Sequence, residues 1–172
     1  AWVLVNQGEC KKALGHFKKA IERSEAWFKQ PSAKAGGAAT QSDLDVRREA
    51  LVDLVYCYTQ ENKDKGAVAL LQSMAYSRAA YVAALERMAN RFGTLDAAEG
   101  AMQVGRELLQ LATDSPARID DARMLYAGVR KTKNYNDVGS DVQLISRAIL
   151  RQVRKPTGAQ ETRDRLLSEL EE

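Results

Sequence analysis

One histidine, two cysteines and a scatter of carboxylates are the residues of this chain that could do chemistry. A Ser–His–Asp or Cys–His arrangement needs an imidazole to take the nucleophile's proton, so it would have to use His16, as would any histidine-containing metal site. His16 lies between Gly15 and Phe17 in a segment of helical pattern, where a packed or solvent-facing helix position is the simpler reading. Asp43/Asp45 and Asp120/Asp121 are paired carboxylates, but each pair stands at the start of a predicted helix, where negative charge compensates the macrodipole. Gly36-Gly37 lies in an Ala/Ser-rich stretch, not between a strand and a helix, and does not form a phosphate-cradling loop. The spacings of HExxH, EF-hand and zinc-ligand motifs do not occur. The sequence therefore reads as a non-enzyme, with no catalytic residues, cofactor, metal site or small-molecule substrate. Cys10 and Cys57 are far apart and form no CxxC pair, so they read as two small, semi-buried helix residues rather than a disulfide, and the redox compartment stays open.

The elements around these residues are helical. The 172 residues are 45% hydrophobic, 28% charged and only 6% aromatic, with Ala, Leu, Arg, Glu, Gln and Lys prominent and three prolines. Good helix formers at the expense of β-branched and aromatic residues predict an all-α fold. A formal charge of +3, from 26 basic and 23 acidic side chains, is too small and too interspersed to argue for nucleic acid or an anionic membrane. No apolar run approaches the length of a spanning helix. Neither an initiator Met nor a charged-then-apolar leader stands at the start, so localisation is open between cytoplasm and a bacterial envelope.

A repeat runs through the middle of the chain. Leu51, Leu54, Val55, Tyr58, Ala67, Leu71 and Met74 translate by 34 positions onto Leu85, Met88, Ala89, Phe92, Ala101, Gly105 and Leu108. A further 37 gives Ala122, Leu125, Tyr126, Val129, Val138, Val142 and Ile145, so that only Gly105 is not apolar. Backwards by 54, Tyr58, Ala67, Leu71 and Met74 fall on Leu4, Ala13, Phe17 and Ala20. Helical periodicity places helices near 1–6, 9–29, 43–61, 64–75, 78–92, 96–112, 116–131, 137–154 and 158–171. Residues 30–42 read as a flexible surface loop, and Thr157-Gly-Ala-Gln160 as a capping box for a final charged helix over 157–172.

Gln7-Gly8-Glu9-Cys10-Lys11-Lys12-Ala13-Leu14-Gly15-His16-Phe17-Lys18-Lys19-Ala20-Ile21-Glu22 resembles the second half of a tetratricopeptide repeat, with its turn glycine, two small residues and intervening aromatic. Leu109-Gln110-Leu111-Ala112-Thr113-Asp114-Ser115-Pro116 resembles the closing stretch of such a repeat, with Pro116 placed to open the next helix. The resemblance covers roughly residues 1–154. It implies a right-handed α-solenoid of stacked antiparallel helix pairs, read as a single helical-repeat domain over 1–172. Within it lie a partial first repeat over 1–29, three further repeats over 43–154 and a terminal helix. Ala1 falls near the middle of the first repeat's first helix, as in a piece of a larger protein. Phe17 and Phe92 are expected to be buried in the interhelical gaps.

In this family the first helices of each pair line a concave groove that commonly receives a peptide or partner helix. The resemblance therefore implies a non-catalytic scaffold for protein–protein interaction within a larger assembly, with a protein or peptide as partner. Tyr56, Gln60, Arg87, Asn90, Arg123 and Arg130 are the partner-binding candidates, and Asp53, Glu86 and Ala127 share their face. Glu86 stands where a basic carboxylate clamp would carry Lys, which argues against recognition of a terminal carboxylate. The alternatives are a self-association module and a nucleic-acid-associated helical repeat. Arg123, Arg130, Lys131 and Lys133, then Arg147, Arg151, Arg154 and Lys155, form basic clusters near helix ends. Nucleic-acid binding calls for a broad basic stripe with interleaved aromatics, and only Tyr126 and Tyr135 are close, so that reading ranks last.

Overall fold

The computed structural model describes residues 1–29, 46–61, 66–111, 114–154, 164–165 and 167–168. Among these, eight helices and no strand are present: α1 (Trp2–Asn6), α2 (Cys10–Phe28), α3 (Val46–Glu61), α4 (Ala67–Met74), α5 (Arg78–Thr94), α6 (Ala98–Gln110), α7 (Arg118–Thr132) and α8 (Val138–Val153). Each lies within a few residues of the span that periodicity predicts. Residues 164–165 and 167–168 are helical, inside the expected last helix. The predicted loop at 30–42, the Asp43/Asp45 pair and the Thr157–Gln160 capping box lie outside the described residues. The chain falls into two compact units, Ala1–Arg91 and Phe92–Glu172.

In the first unit α2 packs along α3, and also touches α1 and α4. Gly8 takes a φ of +76° in the turn before α2, a conformation that costs glycine little and other residues more. Ala13, Phe17 and Ile21, spaced at helical intervals, form the buried stripe of α2. From α3 the stripe is met by Leu51, Leu54, Val55 and Tyr58, all buried. Thr59 is buried on α3 as well, and its hydroxyl donates to the Val55 and Tyr56 carbonyl oxygens, so no polar group is left unsatisfied there.

The cysteines need correction. Cys10 and Cys57 are joined by a disulfide across the α2–α3 contact, their Cα atoms 4.8 Å apart. Burial of both follows from the helix pattern, at 5% and 0% exposure. Their pairing comes from two helices lying side by side, which brings together positions 47 residues apart in sequence. The spacing criteria for local motifs carry no information on such a contact.

In the second unit α6 packs on α7, and α8 lies against both. Gly105, the one non-apolar member of the repeat series, is buried on α6, and Gly128 is buried on α7. A Cβ on Gly128 would run into the Met102 side chain and come within 3.4 Å of the Ala98 carbonyl oxygen, so this helix crossing has no room for one. The core holds Met102, Leu109, Ala122, Leu125, Val129 and Ala148, with Leu144 and Ile145 packed against it. Phe92 is fully buried, as Phe17 nearly is in the first unit, which agrees with the expected gap-filling positions.

The last copy of the repeat series departs from the structure. Tyr126, Val138 and Val142 are exposed at 42%, 43% and 55%. The inward positions of α8 are instead Asp141, Ala148 and Ile149, with Ile145 half-buried. The packed stripe thus starts three residues later, almost one helical turn, after a connection in which Lys133 adopts a φ of +53°. A repeat search that scores apolarity alone passes over Asp141, because a buried carboxylate looks like a surface residue in sequence.

Candidate functional site

All six partner-binding candidates are exposed. In the first unit, Tyr56 and Gln60 lie on α3, and Arg87 and Asn90 on α5. Tyr56 is 39% exposed, and the guanidinium of Arg91 sits over its ring, 4.7 Å from the centroid. The same Arg91 donates from Nε to the Thr59 hydroxyl at 3.4 Å, which ties α5 to α3 beside the Tyr56 ring.

Arg87 is the candidate that lines a groove. A cleft of about 390 Å³ runs between α3 and α5, with Arg48 and Val52 on one wall and Arg87 on the other. Its α5 wall is built from Ala79, Ala80, Ala83 and Ala84, and Leu51 contributes buried apolar surface from α3. Alanines at this spacing follow one face of α5 and leave a shallow trough, because each side chain ends at its Cβ. Tyr76 also lines the cleft, and the Arg47 guanidinium sits over its ring, 4.2 Å from the centroid. Arg47 Nη1 also donates to Glu25 on α2 at 3.0 Å. That hydrogen bond is the main reason the Glu25 carboxyl lies below its ordinary range.

Sequence reasoning found Arg87 but missed Arg48, Tyr76 and the alanine face. The signal was present as Ala79-Ala80 and Ala83-Ala84, a recurrence of four that marks one face of a helix. Apolarity alone does not tell such a face from a core stripe, and the structure leaves Ala79 and Ala83 exposed.

A second opening of the first unit, of about 600 Å³, is bordered by Trp2, His16, Val46, Glu49 and Asp53. Burial pushes the Asp53 carboxyl up from its usual value, and a hydrogen bond from the Trp2 indole opposes part of that shift. His16, the sole imidazole, is exposed on α2 at this rim. No group of three His, Cys, Asp or Glu side chains that could hold a metal occurs among the described residues.

In the second unit Arg123 and Arg130 lie on α7. Arg123 Nη1 donates to Asp120 at 3.1 Å in an exposed pair one turn along the same helix. Arg130 lies 5.6 Å from the centroid of the exposed Tyr126 ring. Asp120 and Asp121 do stand in the first turn of α7, as the dipole argument expects, but they also serve as pair partners for Arg123 and Arg118. Among the described residues no helix is long and apolar enough to cross a membrane. No family model, no curated protein and no solved structure matches the chain.

Proposed function

We propose that this chain is a non-catalytic protein-interaction module of the tetratricopeptide-like helical-repeat kind, and that it binds a partner peptide or helix. The observation that carries the reading is the trough between α3 and α5, floored by alanines and flanked by Arg48 and Arg87. Small side chains let a partner backbone approach closely, and the two guanidiniums favour a partner segment that carries carboxylates. Tyr56, Gln60 and Asn90 extend the same polar face along α3 and α5, and tyrosine and arginine recur among interface hot spots. Arg123, Arg130 and Tyr126 give the second unit an exposed aromatic–guanidinium patch of similar chemistry. The turn glycine, small residues and buried Phe17 of α2 support the repeat assignment. The buried disulfide supports placing the module in an oxidising compartment, since cytosolic thiols are kept reduced.

The test is capture of partners from native extract by the parent chain and by an Arg48→Glu/Arg87→Glu variant whose helical content is unchanged. Partners lost specifically by the variant support the reading. Retention of every partner by the variant removes it.

A further inference from the structure

Helix α3 carries a second open face beside the one that lines the trough. Val46, Glu49, Ala50 and Asp53 recur at intervals of three and four residues, the spacing of a single helix face. With Trp2 of α1 and the His16–Phe17 stretch of α2 this face borders an open recess of about 600 Å³. Its walls are largely apolar. Trp2 and Val46 are exposed at 53% and 51%, and Phe17 and Ala50 add buried apolar surface.

The charge on this face is of one sign. Glu49 and Asp53 stand one turn apart, where like charges repel. Glu49 lies in the first turn of α3, where the helix dipole favours it; Asp53, a turn further along, lacks that support. Asp53 accepts a hydrogen bond from the Trp2 indole, and neither carboxylate forms an ion pair among the described residues. Burial raises the Asp53 carboxyl above its usual value and Glu49 adds to the rise, while the Trp2 hydrogen bond and the charge of Arg87 offset only part of it. Among the described residues no lysine or arginine lines the recess. Its negative charge is therefore held at a cost that its own walls do not remove, and a cation brought in from outside would remove it.

We infer that this recess docks a basic, amphipathic segment of a partner protein. A lysine or arginine side chain has an apolar stem and a charged head, and the recess offers both surfaces side by side. The stem lies along Val46 and the Trp2 ring, and the head reaches Glu49 and Asp53. The indole strengthens the fit, because its hydrogen bond holds the ring beside the Asp53 carboxylate and an aromatic face attracts a cation. This site is separate from the trough, whose guanidiniums select the opposite charge.

The full chain, labelled with nitrogen-15, is titrated with a short end-capped peptide of lysine and leucine. A second titration uses the same peptide with glutamine in place of lysine, at equal ionic strength. Both peptides lack carboxylates, so the outcome does not depend on the trough. The indole N–H signals of Trp2 and Trp27 are the readout, assigned through Trp2→Phe. The lysine peptide is expected to move the Trp2 indole saturably and to leave that of Trp27 in place. The glutamine peptide, and the variant Glu49→Gln/Asp53→Asn with the lysine peptide, bind about tenfold more weakly or worse, as loss of hydrogen bonds to a charged partner does. Glu49→Gln alone, at an exposed position, binds between parent and double variant and serves should the double one not fold. Equal binding of the two peptides, equal movement of both indoles, no saturable movement, or variants that bind as tightly as the parent overturn the inference. So does a Trp2 signal that shifts with protein concentration alone, which assigns the recess to a second copy of the chain.

Discussion

The guanidinium of Arg106 and the carboxylate of Asp141 meet fork to fork, Nε donating to Oδ1 and Nη2 to Oδ2, each at 2.7 Å. Asp141 is 2% exposed and stands on the packed face of α8, so this pair fixes α8 against α6 and makes a carboxylate acceptable at an inward position. The hydrogen bonds that Arg106 donates to Asp141 favour its charged form and raise its pKa above the ordinary arginine value. Asp141→Ala leaves the Arg106 guanidinium, 20% exposed, with only the exposed Asp137 carboxylate 3.7 Å away, and is expected to cost about 3 kcal/mol. Replacing both partners, Arg106→Met with Asp141→Leu, should be close to neutral, because no charge is then left behind. Urea unfolding of the two variants beside the parent checks this, and equal losses in the single and double variants would count against it.

Much of this fold is legible in sequence for a simple physical reason. Helix α2 writes its burial into the spacing Ala13, Phe17, Ile21, and the structure buries those residues. Two features escape such a reading because they depend on pairs of helices. The Cys10–Cys57 bond needs the side-by-side placement of α2 and α3, and the inward role of Asp141 needs Arg106 from another helix. The candidate trough is half-legible: Arg87 stands out as a charge left over after the core is assigned, whereas the alanine face reads as core until its exposure is seen.

The disulfide should contribute measurably to the first unit. It closes a sequence separation of 47 residues, for which loss of unfolded-chain entropy corresponds to about 4 kcal/mol. Reduction, or Cys10→Ser with Cys57→Ser, should lower the denaturation midpoint, and the oxidised parent should resist alkylation in its native state. An unchanged midpoint on reduction would contradict the assigned bond.

Two carboxylates of the first unit should respond to pH in opposite directions. Glu25 lies below its usual range because Arg47 hydrogen-bonds its charged form, so its contribution is present above the ordinary glutamate value and is lost as pH falls through the depressed one. Asp53 lies above its usual range because burial disfavours its charge; its favourable protonated form is complete below the ordinary aspartate value and is lost as pH rises through the raised one. At neutral pH, Asp53→Asn should therefore raise the thermal midpoint and Glu25→Gln should lower it. Both differences should shrink in acid, where the parent carboxylates are themselves protonated. Midpoints measured for the three proteins between acid and neutral pH check the signs.

The α6–α7 crossing should be intolerant of one added methyl group. Gly128→Ala places a Cβ into the Met102 side chain at a buried contact, and overpacking of this kind costs about 1–3 kcal/mol. Gly139 on α8 has open space around it, so Gly139→Ala should be neutral or slightly stabilising through helix propensity. Chemical denaturation of the pair separates steric fit from propensity, and equal effects at both positions would contradict the close crossing.

We propose that the trough between α3 and α5 receives an acidic peptide segment. The most direct measurement is a nitrogen-15 NMR titration of the full chain with a captured partner segment, following the backbone amides of Ala79, Ala80, Ala83 and Ala84 and the Nε–H groups of Arg48 and Arg87. Saturable shifts should concentrate on these groups, with affinity reduced tenfold or more, about 1.4 kcal/mol or greater, in Arg48→Glu/Arg87→Glu. Saturable shifts that leave these residues untouched, or an affinity unchanged by the double reversal, would contradict it.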